Sequence, residues 1–359
     1  MTPCQKGSRL GHFKGDDRIL AIDWLRGLSV LLMIRAHSMI LLKPELHHTR
    51  LYHWLDWIDG SVSPAFLLAA GFSLALVQCR AAPKGSRSVR AIKTLGRLTE
   101  VLAAATLVNW MWFPLLAQPK WIFRMDILHC VGLSLLVALP VVAGLARRPK
   151  MLAAVSLVLW AALFTVAPAC ENVRGVWSLA LNNSSNALFP LMPWMSYVFL
   201  GSFFGALASF ASFRQVVIAF AVAGNLAALG GTFNVHWGAG THLRRIAVVC
   251  AATCFFLLLE RGLRRAKRER SLSVLQAFGT ASLSAYVFHE GLLHYPIARF
   301  SFETLWAAQK GFSAYAGLSV LLIAMTFGLI KLLKFVQSFI RRDAWPYLSR
   351  RFQSLNSWE

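Results

Sequence analysis

The chain has 359 residues, of which 57% are hydrophobic and only 14% are charged. Because soluble domains carry about 25% charged residues, this composition excludes an ordinary soluble domain and indicates a surface that faces lipid. The net charge of +22 would suggest nucleic-acid binding in a soluble protein, so the positions of the basic residues decide what it means.

The apolar segments predict an all-α, polytopic transmembrane helical bundle with about ten spanning helices. Each segment is long enough to cross about 30 Å of hydrocarbon, which takes about 20 residues and fewer where the bilayer thins. One transmembrane domain is predicted at 19–340, between basic tails at 1–18 and 341–359. The predicted spans are 19–42, 62–79, 98–117, 125–146, 151–168, 188–211, 215–233, 246–260, 276–298 and 312–340.

Lysine and arginine are distributed unequally between the two sides of this topology. The tails and even-numbered loops hold 26 of the 37 basic residues, and the opposite loops hold nine. The positive-inside rule therefore predicts that both termini are cytoplasmic. The membrane topology and the attraction to anionic lipid headgroups explain the excess of basic residues, so nucleic-acid binding is not needed to explain it. The basic loops at 80–97 and 261–270 could also attract an anionic cytosolic ligand such as a nucleotide.

The first span carries ionisable residues, which are expensive in hydrocarbon and usually face the bundle interior. Arg26 and His37 are eleven residues apart, so they project from one helix face about 16 Å apart along the axis. Asp23 precedes Arg26 by three residues and can pair with it. Arg35 falls on the opposite face and has no predicted role. The alternative interpretation is a structural Asp23–Arg26 pair and a hydrogen-bonded interior histidine at position 37.

Nine of the ten histidines, among them His37, His48 and His236, fall in the predicted outer loops or near the outer ends of spans. Histidine exchanges protons near neutral pH, so this side favours acid–base chemistry. A metal site is the competing interpretation, but no closely spaced histidine pair with a carboxylate in register occurs. We therefore expect no metal.

Two later spans add polar groups. At the start of the fourth span, Asp126 and His129 are three residues apart and could hydrogen-bond, which would set the imidazole tautomer. In the ninth span, Tyr286 and Glu290 lie on one face, with His289 adjacent. Such groups can also simply join helices to one another.

Five segments of the chain form an ordered set of motifs: RILAIDWLRGL (18–28, continuing to His37), SPAFLLAAGFS (63–73), ILHCVGLS (127–134), FPLMPWM (189–195) and LSAYVFH (283–289). In this order they resemble bacterial membrane proteins related to heparan-α-glucosaminide N-acetyltransferase. The set spans most of the chain, and the Arg-to-His spacing in the first helix is also similar to membrane O-acyltransferases of bacterial surface sugars.

The resemblance implies an acyltransferase that takes an acetyl group from cytosolic acetyl-CoA to a saccharide acceptor on the extracytoplasmic side. It also implies a multi-pass protein of the bacterial inner membrane. Eukaryotic members have asparagine at the position of His37 and a histidine eleven residues later, where this chain has His48. An acidic residue further on is matched by Asp59 or by Asp56, and His47 and His53 are alternatives to His48. The implied catalytic residues are His37, His48 and Asp59.

The resemblance and the charge of the first span together make Arg26, with Asp23 beside it, the expected CoA-binding residues. A planar guanidinium suits phosphate. An alternative function is a proton-coupled transporter or flippase of a saccharide or lipid-linked substrate, and a third is a non-catalytic scaffold. The sequence does not identify the acceptor, and it leaves open a homodimer.

Overall fold

The computed structural model describes residues 18–83, 85–112, 124–182, 188–232, 238–295 and 300–340. The predicted tails, apart from Arg18, lie outside these residues, as does His236. No β-strand occurs in the described part of the chain, so the predicted all-α fold is confirmed.

Fourteen α-helices run through the described residues. They are α1 (Leu20–His37), α2 (Arg50–Asp59), α3 (Val62–Ala81), α4 (Arg87–Trp112), α5 (Ile127–Leu145), α6 (Pro149–Cys170), α7 (Ser178–Leu181), α8 (Leu191–Phe210), α9 (Phe213–Thr232), α10 (Ala239–Arg265), α11 (Ser273–Thr280), α12 (Ser282–His294), α13 (Phe302–Trp306) and α14 (Phe312–Phe339).

Within the described ranges, eight helical segments are long and apolar enough to cross a membrane, and the bent pair α11–α12 makes a ninth. This confirms a polytopic bundle. The predicted span at 98–117 corresponds to the second half of α4, whose first half carries basic residues such as Arg90 and Lys93. The end of that predicted span lies outside the described residues.

Two predicted spans differ from the structure. The short span at 246–260 is part of the 27-residue α10, because the arginines at its start do not end the helix. Arg245 packs over the Trp194 ring instead, 5.7 Å from the ring centroid. The single span predicted at 276–298 is broken into α11 and α12, which meet at 71°. The break falls at Ala281, whose φ of −113° and ψ of 28° are not helical.

Helices α1 and α11 approach each other closely at two glycines. A Cβ added to Gly27 would lie 2.0 Å from the Leu275 carbonyl oxygen, and one added to Gly279 would lie 1.9 Å from that of Asp23. Small residues allow such close backbone approach, which is the usual means of helix association in lipid. The same device joins α3 to α8, where Gly201 faces the Leu68 carbonyl.

The first turn of α1 is held by a distant helix. Glu260 of α10 is buried and accepts a hydrogen bond from the Ala21 backbone N–H at 2.8 Å. Arg264, which pairs with Glu260 at 2.7 Å, also donates to the Arg18 carbonyl. A carboxylate at a helix N-terminus satisfies a free N–H and interacts favourably with the helix dipole. Together with α11, α10 therefore fixes the position of the charged face of α1.

We predict that Gly27→Ala destabilises the detergent-solubilised protein by about 1–3 kcal/mol or more, because the new methyl group collides with a backbone oxygen that cannot move alone. Thermal unfolding of the purified protein measures the effect. Gly317→Ala in α14 is the matched control, since no atom lies within 4 Å of its added Cβ. This control is expected to be neutral or stabilising by up to about 1 kcal/mol. Equal melting temperatures for the two variants would contradict the close-packing interpretation.

Candidate active site

A cavity of about 550 Å³, here called the large cavity, extends along α1. Arg26 lines one end and His37 lines the other, as their helical spacing predicts. The walls between these ends are largely apolar and include Met33, Phe66 and Leu135. The cavity therefore joins a fixed cation to a titratable imidazole through a region that disfavours water.

Polar side chains gather at the Arg26 end of the large cavity. The Arg26 guanidinium donates to the Ser73 hydroxyl at 2.8 Å. Gln78, Thr94 and Arg97 line the same cavity, and the Gln78 amide donates to Thr94 at 3.0 Å. Two guanidinium groups and several hydrogen-bonding groups at one end make this a suitable place for an anionic ligand.

Asp23 lies behind Arg26 and is not among the residues that line the large cavity. Its carboxylate is buried and accepts a hydrogen bond from Arg18 at 2.9 Å. Its separation from the Arg26 guanidinium is 3.9 Å. The predicted Asp23–Arg26 pair is thus present, and the structure places Asp23 where it can position Arg26 but not touch a ligand in the cavity.

A second cavity of about 210 Å³, here called the small cavity, adjoins the His37 end. Four residues line both cavities: His37, Asp126, Phe189 and Tyr286. Arg124 lines the small cavity but not the large one. The two spaces therefore meet at an imidazole, a carboxylate and a phenol, which is the kind of junction where two reactants could be brought together.

The imidazole of His37 is held from behind by α12. Its Nδ1 lies 2.5 Å from Glu290 Oε1 and 3.0 Å from His289 Nε2. The side chains of Glu290 and His289 are only 1% and 0% exposed, whereas that of His37 is 34% exposed. His37 is thus the member of this trio that a ligand can reach. A proton on Nδ1, donated to the carboxylate, leaves Nε2 with a free lone pair.

Further hydrogen bonds extend from this trio. His294 Nε2 is 3.6 Å from Glu290 Oε2, and His294 Nδ1 is 2.8 Å from the Glu303 carboxylate. The Tyr286 hydroxyl donates to Asp126 Oδ2 at 2.5 Å. The predicted hydrogen bond between Asp126 and His129 is therefore wrong. The Tyr286 phenol of α12 reaches the Asp126 carboxylate instead, and His129 Nδ1 makes no hydrogen bond.

Asp59 lines the large cavity near His37 and is paired with Arg35, which also donates to the Leu55 carbonyl at 3.1 Å. Arg35, left without a role by the sequence, thus ties the end of α2 to α1. His48 lies elsewhere: it ends the 3-10 helix Pro44–His48, is exposed, and does not line either cavity. The structure brings together Arg26, His37 and Asp59 on one cavity and leaves His48 outside it.

Sequence reasoning noted Glu290 and His289 but did not connect them to His37, and it did not single out His294 or Glu303 as members of the same cluster. The partners are 252 and 253 residues from His37, and helix periodicity carries no information on contacts between distant helices. The available signal was the cost of ionisable groups in a span, which favours mutual pairing.

His37, His289 and Glu290 also form a group whose ligand atoms lie within 4.8 Å of one another, so the trio has the donor types of a metal site. The Arg26 end has the donor types that suit the phosphates of a nucleotide cofactor.

A sequence model described as heparan-α-glucosaminide N-acetyltransferase, catalytic, matches residues 18–232, which is well over half of the chain. The chain belongs to this family. A search of curated protein sequences finds no match. The matched region contains Arg26, His37 and Asp59 and ends before α12, so the carboxylate that holds His37 lies outside it.

Membership of this family makes the chain a membrane acetyltransferase, and therefore a transferase. Residues 18–28, 63–73 and 189–195, which carry the resemblance, supply parts of the walls of the large cavity. Two glycines in or near these segments, Gly71 and Gly201, allow α3 and α8 to pack closely. A Cβ added to either glycine would lie 2.0 Å from a carbonyl oxygen of the other helix.

Proposed function

We propose that the protein transfers an acetyl group from cytosolic acetyl-CoA to a saccharide acceptor on the extracytoplasmic side of a bacterial inner membrane. One observation carries the proposal: the reachable imidazole of His37 lines two cavities at once, with its Nδ1 held by the buried Glu290. An imidazole positioned by a carboxylate is the arrangement that general-base catalysis of acyl transfer needs.

The large cavity is the proposed donor site. Arg26 and Arg97 at one end would bind the phosphates of CoA, and the apolar walls would enclose its long, thin pantetheine arm. The thioester would then lie near His37. The positive-inside distribution of lysine and arginine supports placing the Arg26 end at the cytoplasm, where acetyl-CoA is available.

The small cavity is the proposed acceptor site. Its size suits a single sugar ring, and its polar lining includes Asn109, Arg124 and His294. His37 Nε2 would take the proton from the acceptor hydroxyl or amine as that atom attacks the thioester carbon. As the carbon–sulfur bond breaks, His37 would return the proton to the leaving CoA thiolate, so that no proton is gained or lost overall.

The remaining candidates receive different roles. Asp59 would hold α2 against α1 through Arg35 and so close the side of the cavity next to His37. Asp23 would position Arg26. Arg124 would supply positive charge near the carbonyl oxygen that becomes negative in the transition state. His48, on the exposed 3-10 helix, would not take part in proton transfer.

We predict that His37→Gln lowers acetyl transfer by roughly 10²- to 10⁴-fold, because the substitution removes the base and keeps the volume. Acetylation is measured in proteoliposomes with radiolabelled acetyl-CoA and glucosamine as the probe acceptor. His48→Gln is the matched control, and we expect its rate to stay within about twofold of the parent, as for other surface substitutions. Melting temperatures of both variants check that each is folded. Full activity in a folded His37→Gln protein, or a large loss in His48→Gln, would contradict the assignment.

A second prediction concerns the donor. Arg26→Gln should weaken the binding of CoA by about 10- to 100-fold, because a hydrogen bond to a charged group contributes about 1.5–3 kcal/mol. The shift in melting temperature with CoA concentration gives the affinity. Arg147→Gln, at an exposed loop arginine away from the cavity, is the control and should bind CoA like the parent. Equal affinities in both variants would place the donor elsewhere.

A further inference from the structure

The trio of His37, His289 and Glu290 presents three ligand atoms to one point. The pairs of atoms are 2.5 Å apart between His37 Nδ1 and Glu290 Oε1, 3.0 Å between the two imidazoles, and 3.2 Å between His289 Nε2 and Glu290 Oε1. Two imidazoles and a carboxylate are also the protein ligands of one common kind of zinc site that keeps an open fourth position.

His289 directs the free lone pair of its Nε2 toward His37 and Glu290. Its Nδ1 lies 3.0 Å from the Ala285 carbonyl oxygen, which can only accept, so Nδ1 carries the proton. In the neutral ring, Nε2 is then an acceptor, and it faces the Glu290 carboxylate, another acceptor, at 3.2 Å. A backbone carbonyl that fixes the outer nitrogen of a histidine is the usual second-sphere contact of a metal ligand.

Glu290 Oε1 and His289 Nε2 both lie within 3.0 Å of His37 Nδ1, so two acceptors share the one proton on that nitrogen. A divalent cation could take the place of this proton and bind all three atoms. In a tetrahedral zinc site with Zn–N and Zn–O distances of about 2.0–2.1 Å, the ligand atoms lie about 3.3 Å apart. The separations in the trio are shorter than this by at most about 0.8 Å, so small side-chain movements would admit the ion.

The trio can be reached from the small cavity. His289 and Glu290 are buried, but His37 and Glu290 line the small cavity, so an ion could enter from there. The open coordination position would face the same cavity.

We propose that His37, His289 and Glu290 form a site for one zinc-like divalent cation, which inhibits the enzyme reversibly. Coordination through His37 Nδ1 moves the ring proton to Nε2, so the imidazole can no longer accept a proton from the acceptor. The inhibition rests on the proposed function, whereas the binding of the ion does not.

Binding is tested first without any enzymatic reaction. Purified full-length protein is stripped with a chelator and titrated with Co²⁺, followed by visible absorption, and with Zn²⁺, followed by calorimetry. We expect one ion per chain, and X-ray absorption of the zinc-loaded protein should show nitrogen and oxygen ligands with two imidazoles. An ion bound by sulfur, or no stoichiometric binding, overturns the proposal.

Variants locate the site. His289→Ala and Glu290→Gln should each weaken binding by more than roughly 100-fold, since even second-sphere changes cost about 10- to 100-fold. The single variant His48→Gln, which removes an exposed histidine outside both cavities, should bind the ion as the parent does. Retained CoA binding shows that the variants are folded. If His48→Gln loses the ion while His289→Ala and Glu290→Gln keep it, the proposal is wrong.

Inhibition is tested last, with the acetylation assay and glucosamine. Zinc at saturating concentration should reduce the rate by more than tenfold, and a chelator should restore it. If the parent binds the ion at the trio but transfers acetyl groups at the same rate with and without it, the inhibitory part is wrong, while the proposed function stands. If the parent shows no transfer under any condition, the proposed function fails and the metal site is judged on binding alone.

Discussion

The contact between His37 and Glu290 joins α1 to α12, two helices that are far apart in the sequence, and the proposed chemistry depends on it. Both groups lie on helices that are predicted to span the membrane, where an ionisable side chain without a partner is costly. Pairing removes that cost and also fixes which nitrogen of His37 faces the cavities. The constraint that stabilises the bundle at this point is thus the same one that would prepare His37 as a base.

The position of this contact depends on close packing elsewhere in α1. Gly27 and Gly279 let α1 and α11 touch through their backbones, and the break at Ala281 then turns α12 so that Tyr286 and Glu290 face the large and small cavities. Glu260 holds the first turn of α1, at the opposite end of this helix from His37. The helix itself sets the separation of Arg26 and His37, and the contacts at its first turn and at His37 fix where these two residues lie along the cavity wall.

Some of this site was predictable from local rules alone. The all-α bundle follows from length and hydropathy, and the shared face of Arg26 and His37 follows from helical periodicity. Contacts between distant helices were not predictable, because a single sequence does not indicate whether two histidines that are 252 positions apart meet. For the same reason, the sequence did not indicate that Arg35 pairs with Asp59.

The proposed mechanism requires a continuous path for the acyl donor, from Arg26 at one end of the large cavity to His37 at the other. A cryo-electron microscopy structure of the protein with a non-hydrolysable acetyl-CoA analogue would show whether the donor follows this path. We expect density for the phosphates at Arg26 and Arg97, the pantetheine arm along the apolar walls, and the acetyl group within contact distance of His37 Nε2. Density for the analogue outside the large cavity, or an acetyl group at His48, would rule out the path.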